Sequence, residues 1–182
     1  MKEGRLTLSL QIFILGLLSN RDYHPYDVKK KIVRDTRNMV SVSDGNLYYN
    51  FEVLLKKGLI KKSQIIHSDN RPDKITYSIT SKGQNALKEE IYKSFRKAKS
   101  IKSLFVTLPF LEHVDTEKLV FYVEEVIEWF NKKLVEIEEK ELTAECDSDS
   151  QKYKTFMSEF TSESIKLEIK TFDKLLLFLK NK

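Results

Sequence analysis

Polar side chains that can bind nucleic-acid bases lie along one short helical pattern in the first half of the chain. Leu47, Phe51 and Leu54 recur at helical spacing, which predicts that this side of a helix over residues 43–57 is buried. We expect the opposite side to present Ser43, Asn46, Tyr49 and Asn50. Asparagine amides can pair with adenine, and a serine hydroxyl can contact base edges or phosphates. The alternative is that Asn46 and Asn50 are ordinary solvated positions.

The charge of the chain is distributed unevenly, in a way that fits a polyanionic partner. Residues 1–99 contain 20 Lys and Arg against 10 Asp and Glu, a net charge of +10. Residues 100–182 contain 12 Lys, no Arg and 17 Asp and Glu, a net charge of −5. A basic half is typical of proteins that bind DNA or RNA. A lysine-rich solvated surface is the alternative, and the order of the structural elements decides between them.

The first half of the sequence predicts three helices followed by a β-hairpin. Apolar periodicity predicts helices over residues 6–19, 26–35 and 43–57, with Ser43 as the N-cap of the third helix and Gly58 at its end. β-Branched and aromatic residues on both sides of a polar turn at 67–74 predict two antiparallel strands. This order is a winged helix-turn-helix, whose third helix enters a major groove and whose hairpin reaches the flanking backbone.

Basic side chains outside the third helix are candidates for phosphate contacts. We expect Lys29 and Lys30 on the second helix, and Lys74 in the hairpin, to neutralise phosphates. Arg71 lies at the predicted tip of the hairpin, where it could enter a minor groove or hold a phosphate. The alternative for Arg71 is a solvated loop.

Four segments within residues 5–90 resemble the PadR transcriptional regulators. They are the leading helix at 6–19, Pro25-Tyr26-Asp27-Val28, the third-helix region from Gly45-Asn46-Leu47-Tyr48 to Gly58-Leu59-Ile60, and the hairpin exit Thr76-Tyr77-Ser78-Ile79-Thr80-Ser81-Lys82-Gly83. The family often has Pro and Leu where this sequence has Tyr49 and Phe51. The resemblance implies that Tyr48 contacts the DNA backbone. It also implies that C-terminal helices cross between the two chains of a dimer.

Long helices are predicted for the second half of the chain. One over residues 116–142 and another ending near residue 179 carry apolar stripes, the first at heptad-like spacing. We expect these stripes to be buried against a partner chain. The predicted dimer contacts are Leu119, Val123, Val126, Phe130, Leu134, Ile137, Phe172 and Leu176. The expected domains are a winged helix-turn-helix with its connecting fourth helix at 1–105 and a dimerisation domain at 106–182.

Residues suited to catalysis or metal binding are sparse in the sequence. The chain has one cysteine, Cys146, and three scattered histidines, so we expect no metal site. It has no phosphate-binding glycine loop and no nucleophile motif, so an enzyme is the least expected class. Trp129 lies beside the apolar stripe of the fifth helix. Because some relatives bind flat effectors through aromatics, Trp129 is a candidate effector contact; its alternative is a place in the dimer interface.

Together these patterns predict a mostly α-helical, cytoplasmic homodimer that regulates transcription. We expect a repressor that binds a palindromic operator, needs no cofactor and is released by a small aromatic effector. The apolar run at 6–18 contains three polar residues and is too short to span a membrane. The alternative functions are a nonspecific DNA-packaging protein and a helical scaffold whose winged domain binds another protein.

Overall fold

The structure, a computed structural model, describes residues 3–36, 41–68, 71–142 and 148–182. It describes their side chains except those of 3–9, 66–68, 71–73, 140–142 and 148–151. The helices are α1 (Glu3–Leu18), α2 (Pro25–Asp35), α3 (Asp44–Lys56), α4 (Ser81–Arg96), α5 (Thr116–Leu142) and α6 (Ser148–Lys180). The strands β1 (Ile60–Ser68) and β2 (Arg71–Ile79) form an antiparallel hairpin between α3 and α4. This order confirms the predicted winged helix-turn-helix followed by long C-terminal helices.

The described residues form two compact units. The N-terminal unit contains the chain up to Ser94 together with Leu104–Val114, and the C-terminal unit contains Phe95–Ser103 together with Asp115–Lys182. The predicted division into a winged helix-turn-helix domain at 1–105 and a dimerisation domain at 106–182 remains a prediction. None of the described helices is both long enough and apolar enough to cross a membrane.

The core of the N-terminal unit is built around α1. Residues 12–18 are all buried, as expected for a helix that is apolar on most of its surface. Gly16 permits a close approach, because a side chain at this position would collide with the ring of Phe110. Phe110 also packs edge-on against Phe13, with 5.3 Å between ring centroids. The segment 104–114 is thereby packed against α1.

Local hydrogen bonds set the ends of α3 and attach the hairpin. The Ser43 hydroxyl accepts a hydrogen bond from the Asn46 N–H (3.3 Å), which confirms the predicted N-cap. Gly58 follows α3 with a φ of +68°, a left-handed conformation that glycine adopts without strain. Tyr23, just before α2, forms an antiparallel bridge with Tyr77 of β2. These contacts hold the hairpin beside the helices of the N-terminal unit.

The start of α4 lies against the backbone that leads into the hairpin, and its packing can be tested. We expect Gly83→Ala to lower the free energy of unfolding by about 1–3 kcal/mol, because the added Cβ would collide with the carbonyl oxygen of Leu59. The Gly83 N–H donates to the Thr80 hydroxyl (3.1 Å), so α4 cannot move away without losing its N-cap. Thermal melts of the variant and the parent measure the loss.

Gly45→Ala is the matched control for this substitution. Nothing lies within 4 Å of the Cβ it adds, and alanine favours the helix more than glycine does. We therefore expect Gly45→Ala to melt at or slightly above the temperature of the parent. Equal melting temperatures for Gly83→Ala and the parent would contradict the close packing at α4.

The C-terminal unit contains an antiparallel pair of long helices. The buried side chains between them are Leu119, Val123, Val126 and Phe130 on α5, and Ile165, Phe172, Leu175 and Leu179 on α6. The ring centroids of Phe130 and Phe172 lie 5.9 Å apart. The structure thus corrects the predicted dimer contacts, because most of them are already buried within one chain and cannot cover a second. Leu134, Ile137 and Leu176 are half-buried.

Two ion pairs define how α5 and α6 are aligned. Lys180 Nζ lies 2.7 Å from a carboxylate oxygen of Glu124, and Lys166 Nζ lies 3.8 Å from one of Glu138. The two glutamates stand as many residues apart on α5 as the two lysines do on α6, so the antiparallel helices stay aligned residue for residue. Continuing from Glu138 and Lys166, the end of α5 at Leu142 lies level with about residue 162 of α6. Burial agrees, since Ser162 is the first buried side chain described on α6. Residues 148–161, here called the α6 extension, therefore continue past α5 by about 21 Å.

Candidate nucleic-acid interface

One face of α3 is exposed and polar at its N-terminal end. Ser43 is exposed, Asn46 is half-buried, and the side chains of Tyr48 and Tyr49 are 47% and 59% exposed. The opposite face consists of Leu47, Phe51 and Leu54, all buried. The predicted inward face of the helix is therefore confirmed. Tyr48 is exposed and does not lie in the core, as the DNA-backbone contact that the family resemblance implies would require.

Asn50 does not lie on the exposed face, which corrects its predicted role as a direct base contact. The side chain is fully buried, with 0% of its surface exposed. Its Nδ2 donates to the backbone oxygen of Asn46 (2.8 Å) and to Asn46 Oδ1 (2.9 Å). Its Oδ1 accepts a hydrogen bond from Gln11 Nε2 on α1 (2.9 Å). A fully buried amide with these partners cannot reach a base edge.

The position of Asn50 in the helix predicts its burial, although its side chain is polar. Asn50 stands three residues after Leu47 and four before Leu54, so it belongs to the buried stripe of α3. A buried amide needs hydrogen-bond partners, and Gln11 supplies one. Gln11 is itself a polar residue within the apolar run of α1, and this was the sequence signal for the pairing.

One cation of α2, Lys29, contacts the first turn of α3. Lys29 Nζ lies 2.7 Å from a carboxylate oxygen of Asp44 in the first turn of α3, so its charge is already paired. An exposed ion pair of this kind contributes only about 0.2–1 kcal/mol, so a phosphate can replace Asp44 as the partner of Lys29. Lys30 Nζ lies 4.5 Å from the ring centroid of Tyr26, which is half exposed. The Lys29 ammonium therefore lies beside the first turn of α3, and Lys30 is exposed on the same helix as Lys29.

The hairpin contributes further cations. In the strand register, Arg71 stands opposite Ser68 at the tip of the hairpin. The structure does not describe the side chain of Arg71, so its DNA contact stays a prediction. Lys74 on β2 is exposed. Lys61 and Lys62 on β1 are also exposed, and sequence reasoning did not single them out. Two adjacent lysines in a strand of a predicted wing were the signal for them.

The N-cap of α2 is a titratable group. His24 Nδ1 accepts a hydrogen bond from the Tyr26 N–H (3.2 Å), a role that only an unprotonated nitrogen can fill. Burial lowers the pKa of His24 below its ordinary value, the carboxylate of Asp27 acts in the opposite direction, and the ammonium of Lys74 lowers it further. The neutral imidazole is therefore the form that the folded N-terminal unit favours.

Protonation of His24 should destabilise the fold at mildly acidic pH. Because the pKa is lower in the folded chain than in the unfolded chain, its contribution to stability is complete above about pH 6.5 and is lost as the pH falls below that value. Between about pH 7.5 and about pH 5.5, the melting temperature of the parent should fall more than that of His24→Asn. Asparagine keeps an N-cap acceptor but does not titrate. Identical pH profiles would show that His24 is not the linked group.

Trp129 lies on the surface of the C-terminal unit. Its side chain is 42% exposed and packs edge-on against Phe130, with 4.9 Å between centroids. The ammonium nitrogens of Lys99 and Lys133 lie 5.9 Å and 6.0 Å from its ring centroid. These distances are at the outer limit of cation–π attraction. The predicted effector contact is thus an exposed aromatic ring flanked by two cations.

Other candidate chemistry is sparse among the described residues. No group of three or more His, Cys, Asp or Glu side chains is arranged there to hold a metal ion. Cys146 lies outside the described residues.

Residues 14–89 match the sequence model of the transcriptional regulator PadR-like family. The matched segment contains α2, α3, the hairpin and parts of the helices on either side. It confirms the resemblance drawn from the motifs of the first half. No curated protein matches the chain.

The solved structures that the chain matches include regulators from two bacteria. A transcriptional regulator from Clostridium thermocellum is 26% identical over 46% of this chain and 78% of that chain, with a TM-score of 0.42. Bacillus subtilis PadR in complex with operator DNA is 16% identical over 93% of this chain and 98% of that chain, with a TM-score of 0.45. The same protein in complex with p-coumaric acid is 16% identical over 94% and 99%, with a TM-score of 0.37. At these scores, none of them fixes the position of a residue in this chain.

Proposed function

We propose that this chain, PadR-like over residues 14–89, is a sequence-specific DNA-binding repressor of transcription. The exposed N-terminal face of α3 carries this proposal, because it presents Ser43, Asn46 and Tyr49 from a winged unit rich in lysine and arginine. In this docking, α3 lies in the major groove and the hairpin lies along the flanking backbone. Tyr48, Lys30 and Lys74 then contact phosphates, which position the helix without reading sequence.

We propose that two chains associate through the α6 extension. Four large apolar side chains on this segment are more than half exposed: Tyr153, Phe156, Met157 and Phe160. Such a contiguous apolar stripe marks an interaction surface. A second copy is the occupant, because the segment continues past α5 in its own chain and needs another helix to cover it. A dimer then presents two α3 helices, which match an operator with two-fold symmetry.

Repression and its relief complete the proposal. A dimer seated on an operator excludes other proteins from that DNA, and a ligand that favours a different arrangement of the dimer releases it. We place the contact for a small aromatic effector at Trp129, where the ring is exposed and Lys99 and Lys133 favour an anionic molecule. Because the target is chromosomal DNA, the site of action is the cytoplasm.

Selection from a randomised duplex library tests the proposed function. The full chain is incubated with the library at moderate salt, bound duplexes are amplified, and the enriched sequence is measured again by fluorescence anisotropy against a scrambled duplex. We expect one two-fold symmetric sequence, bound about 10³-fold or more tightly than the scrambled duplex. Strong binding with no enriched sequence would show a nonspecific packaging protein. No binding to any duplex would favour a protein-binding scaffold.

A further inference from the structure

We propose that Gln11 and Asn50 are positioning residues that fix the amide of Asn46 with its NH₂ group toward the DNA, so that α3 reads a hydrogen-bond acceptor there. The three side chains form one chain of hydrogen bonds from α1 to the exposed face of α3. This inference rests on the proposed function and names the base chemistry of the same surface.

The direction of this hydrogen-bond chain is set by a backbone group. The carbonyl oxygen of Asn46 can only accept, so the Asn50 group that lies 2.8 Å from it must be the NH₂ group. Asn50 Oδ1 then faces Gln11 and must accept, which requires Gln11 to donate. The second proton of Asn50 Nδ2 is directed to Asn46, whose Oδ1 accepts it at 2.9 Å. Every amide orientation in the chain follows from the one carbonyl.

Burial makes this arrangement costly to reverse. Asn50 is fully buried, and both of its amide atoms are engaged. If the Asn50 amide were turned over, its oxygen would face the carbonyl oxygen of Asn46 and its NH₂ group would face the NH₂ group of Gln11. Neither contact can form a hydrogen bond, so buried polar groups would be left without partners. Asn46 is half-buried and is also held at its backbone N–H by Ser43. Its Oδ1 is engaged by Asn50, which leaves the protons of Nδ2 as the donors that the side chain offers to DNA.

An NH₂ donor selects among the four bases by their major-groove edges. Guanine offers two acceptors there, N7 and O6, whereas cytosine offers only the N4 donor. A free asparagine would favour adenine, because its oxygen accepts from N6 while its nitrogen donates to N7. The oxygen of Asn46 already accepts from Asn50, which engages one of its two lone pairs, so a second hydrogen bond from adenine N6 would compete with the bond that fixes the amide. We therefore expect guanine to be preferred at the base opposite Asn46 and cytosine to be rejected.

A double-mutant cycle on the enriched duplex tests the inference. The variants are Asn46→Ala, Asn50→Leu and the two together, and the probes are duplexes carrying each base at every position of one half-site. For the parent, we expect guanine to be favoured over cytosine at one position by about 5- to 150-fold. Asn46→Ala and Asn50→Leu should each abolish that preference and leave the other positions unchanged. The double variant should behave like Asn46→Ala alone, because Asn50 acts through Asn46.

Control variants separate positioning from general damage. Asn85→Leu makes the same substitution at an exposed site on α4 and should leave every base preference unchanged. If Asn50→Leu does not fold, Gln11→Met, at a half-buried site, should weaken the guanine preference at the same position. Three results would each overturn the inference. The guanine preference could be retained in both Asn50→Leu and Gln11→Met, the variants could lose affinity equally at all base positions, or the effects of the two substitutions could add in the double variant.

The outcomes also distinguish failure of this inference from failure of the proposed function. If the library yields no enriched sequence, the proposed function is wrong. If a sequence is enriched but Asn46→Ala leaves every base preference intact, the function stands and the positioning role is wrong.

Discussion

Raising the salt concentration from about 50 to about 200 mM should weaken binding of the full chain to its enriched duplex by about 10³–10⁵-fold. The first 99 residues carry a net charge of +10, and each phosphate that a lysine or arginine neutralises releases condensed counterions. A dimer that makes about 6–10 such contacts gives this range. Fluorescence anisotropy over a salt series measures the slope directly.

Single lysine substitutions identify which cations produce the salt dependence. Lys30→Gln on α2 and Lys74→Gln on β2 should each lower the slope by about two, because each removes one phosphate contact from both chains of the dimer, and should weaken all duplex sequences alike. Lys170→Gln, an exposed lysine of the C-terminal unit, is the matched control and should change neither quantity. A flat salt titration for the parent would contradict a DNA role for the basic half.

Charging the α6 extension should break the dimer and weaken operator binding by about 10²–10⁴-fold. The double substitution Phe156→Glu with Phe160→Glu introduces two carboxylates where the phenylalanines are 64% and 60% exposed within the chain. Their burial against a second copy would be unfavourable, and the two half-sites would then be bound independently, which removes the gain from tethering. Light scattering gives the mass, and anisotropy gives the affinity.

Leu167→Glu is the matched control for this variant. Leu167 is 65% exposed on the same helix, but it lies on the part of α6 that packs along α5. We expect this variant to remain a dimer and to bind the operator as the parent does. If the charged α6 extension still gave a dimer of full affinity, with helical content unchanged by circular dichroism, the proposed interface would be wrong.

The N-terminal unit was predictable because its signals are local. Ser43, Gly58 and Pro25 mark helix ends through backbone geometry that does not depend on distant residues. The hairpin followed from β-branched residues around a polar turn. These features reproduce the order of elements seen in the structure. The inward face of α3 followed from apolar spacing alone.

The polar members of the site were harder to assign, because polarity and burial conflict there. Asn50 has the spacing of a buried residue and the polar side chain of a surface residue. It can be buried because Gln11 supplies a hydrogen-bond partner for its amide. Lys29 similarly has a nearby carboxylate, Asp44, that lies 15 positions away in sequence. Pairings between elements depend on tertiary placement, which a single sequence does not display.

Periodicity showed which faces of α5 and α6 are apolar but not what covers them. The stripe on α5 is filled by α6 of the same chain, whereas the apolar side chains of the α6 extension remain exposed. The difference depends on the alignment of the two helices, which the ion pairs of Glu124 and Glu138 define. That alignment could not be read from the spacing of apolar residues.

In the proposed complex, α3 lies in the major groove of the bound operator. Site-specific photocrosslinking tests it, with Tyr49→p-benzoylphenylalanine on the exposed face of α3 and Glu89→p-benzoylphenylalanine on exposed α4 as the control. We expect irradiation of the complex to crosslink position 49 to bases inside each half-site of the enriched duplex and position 89 to none. Crosslinks from position 49 that are no more frequent than those from position 89, or that fall only outside the half-sites, would contradict the account.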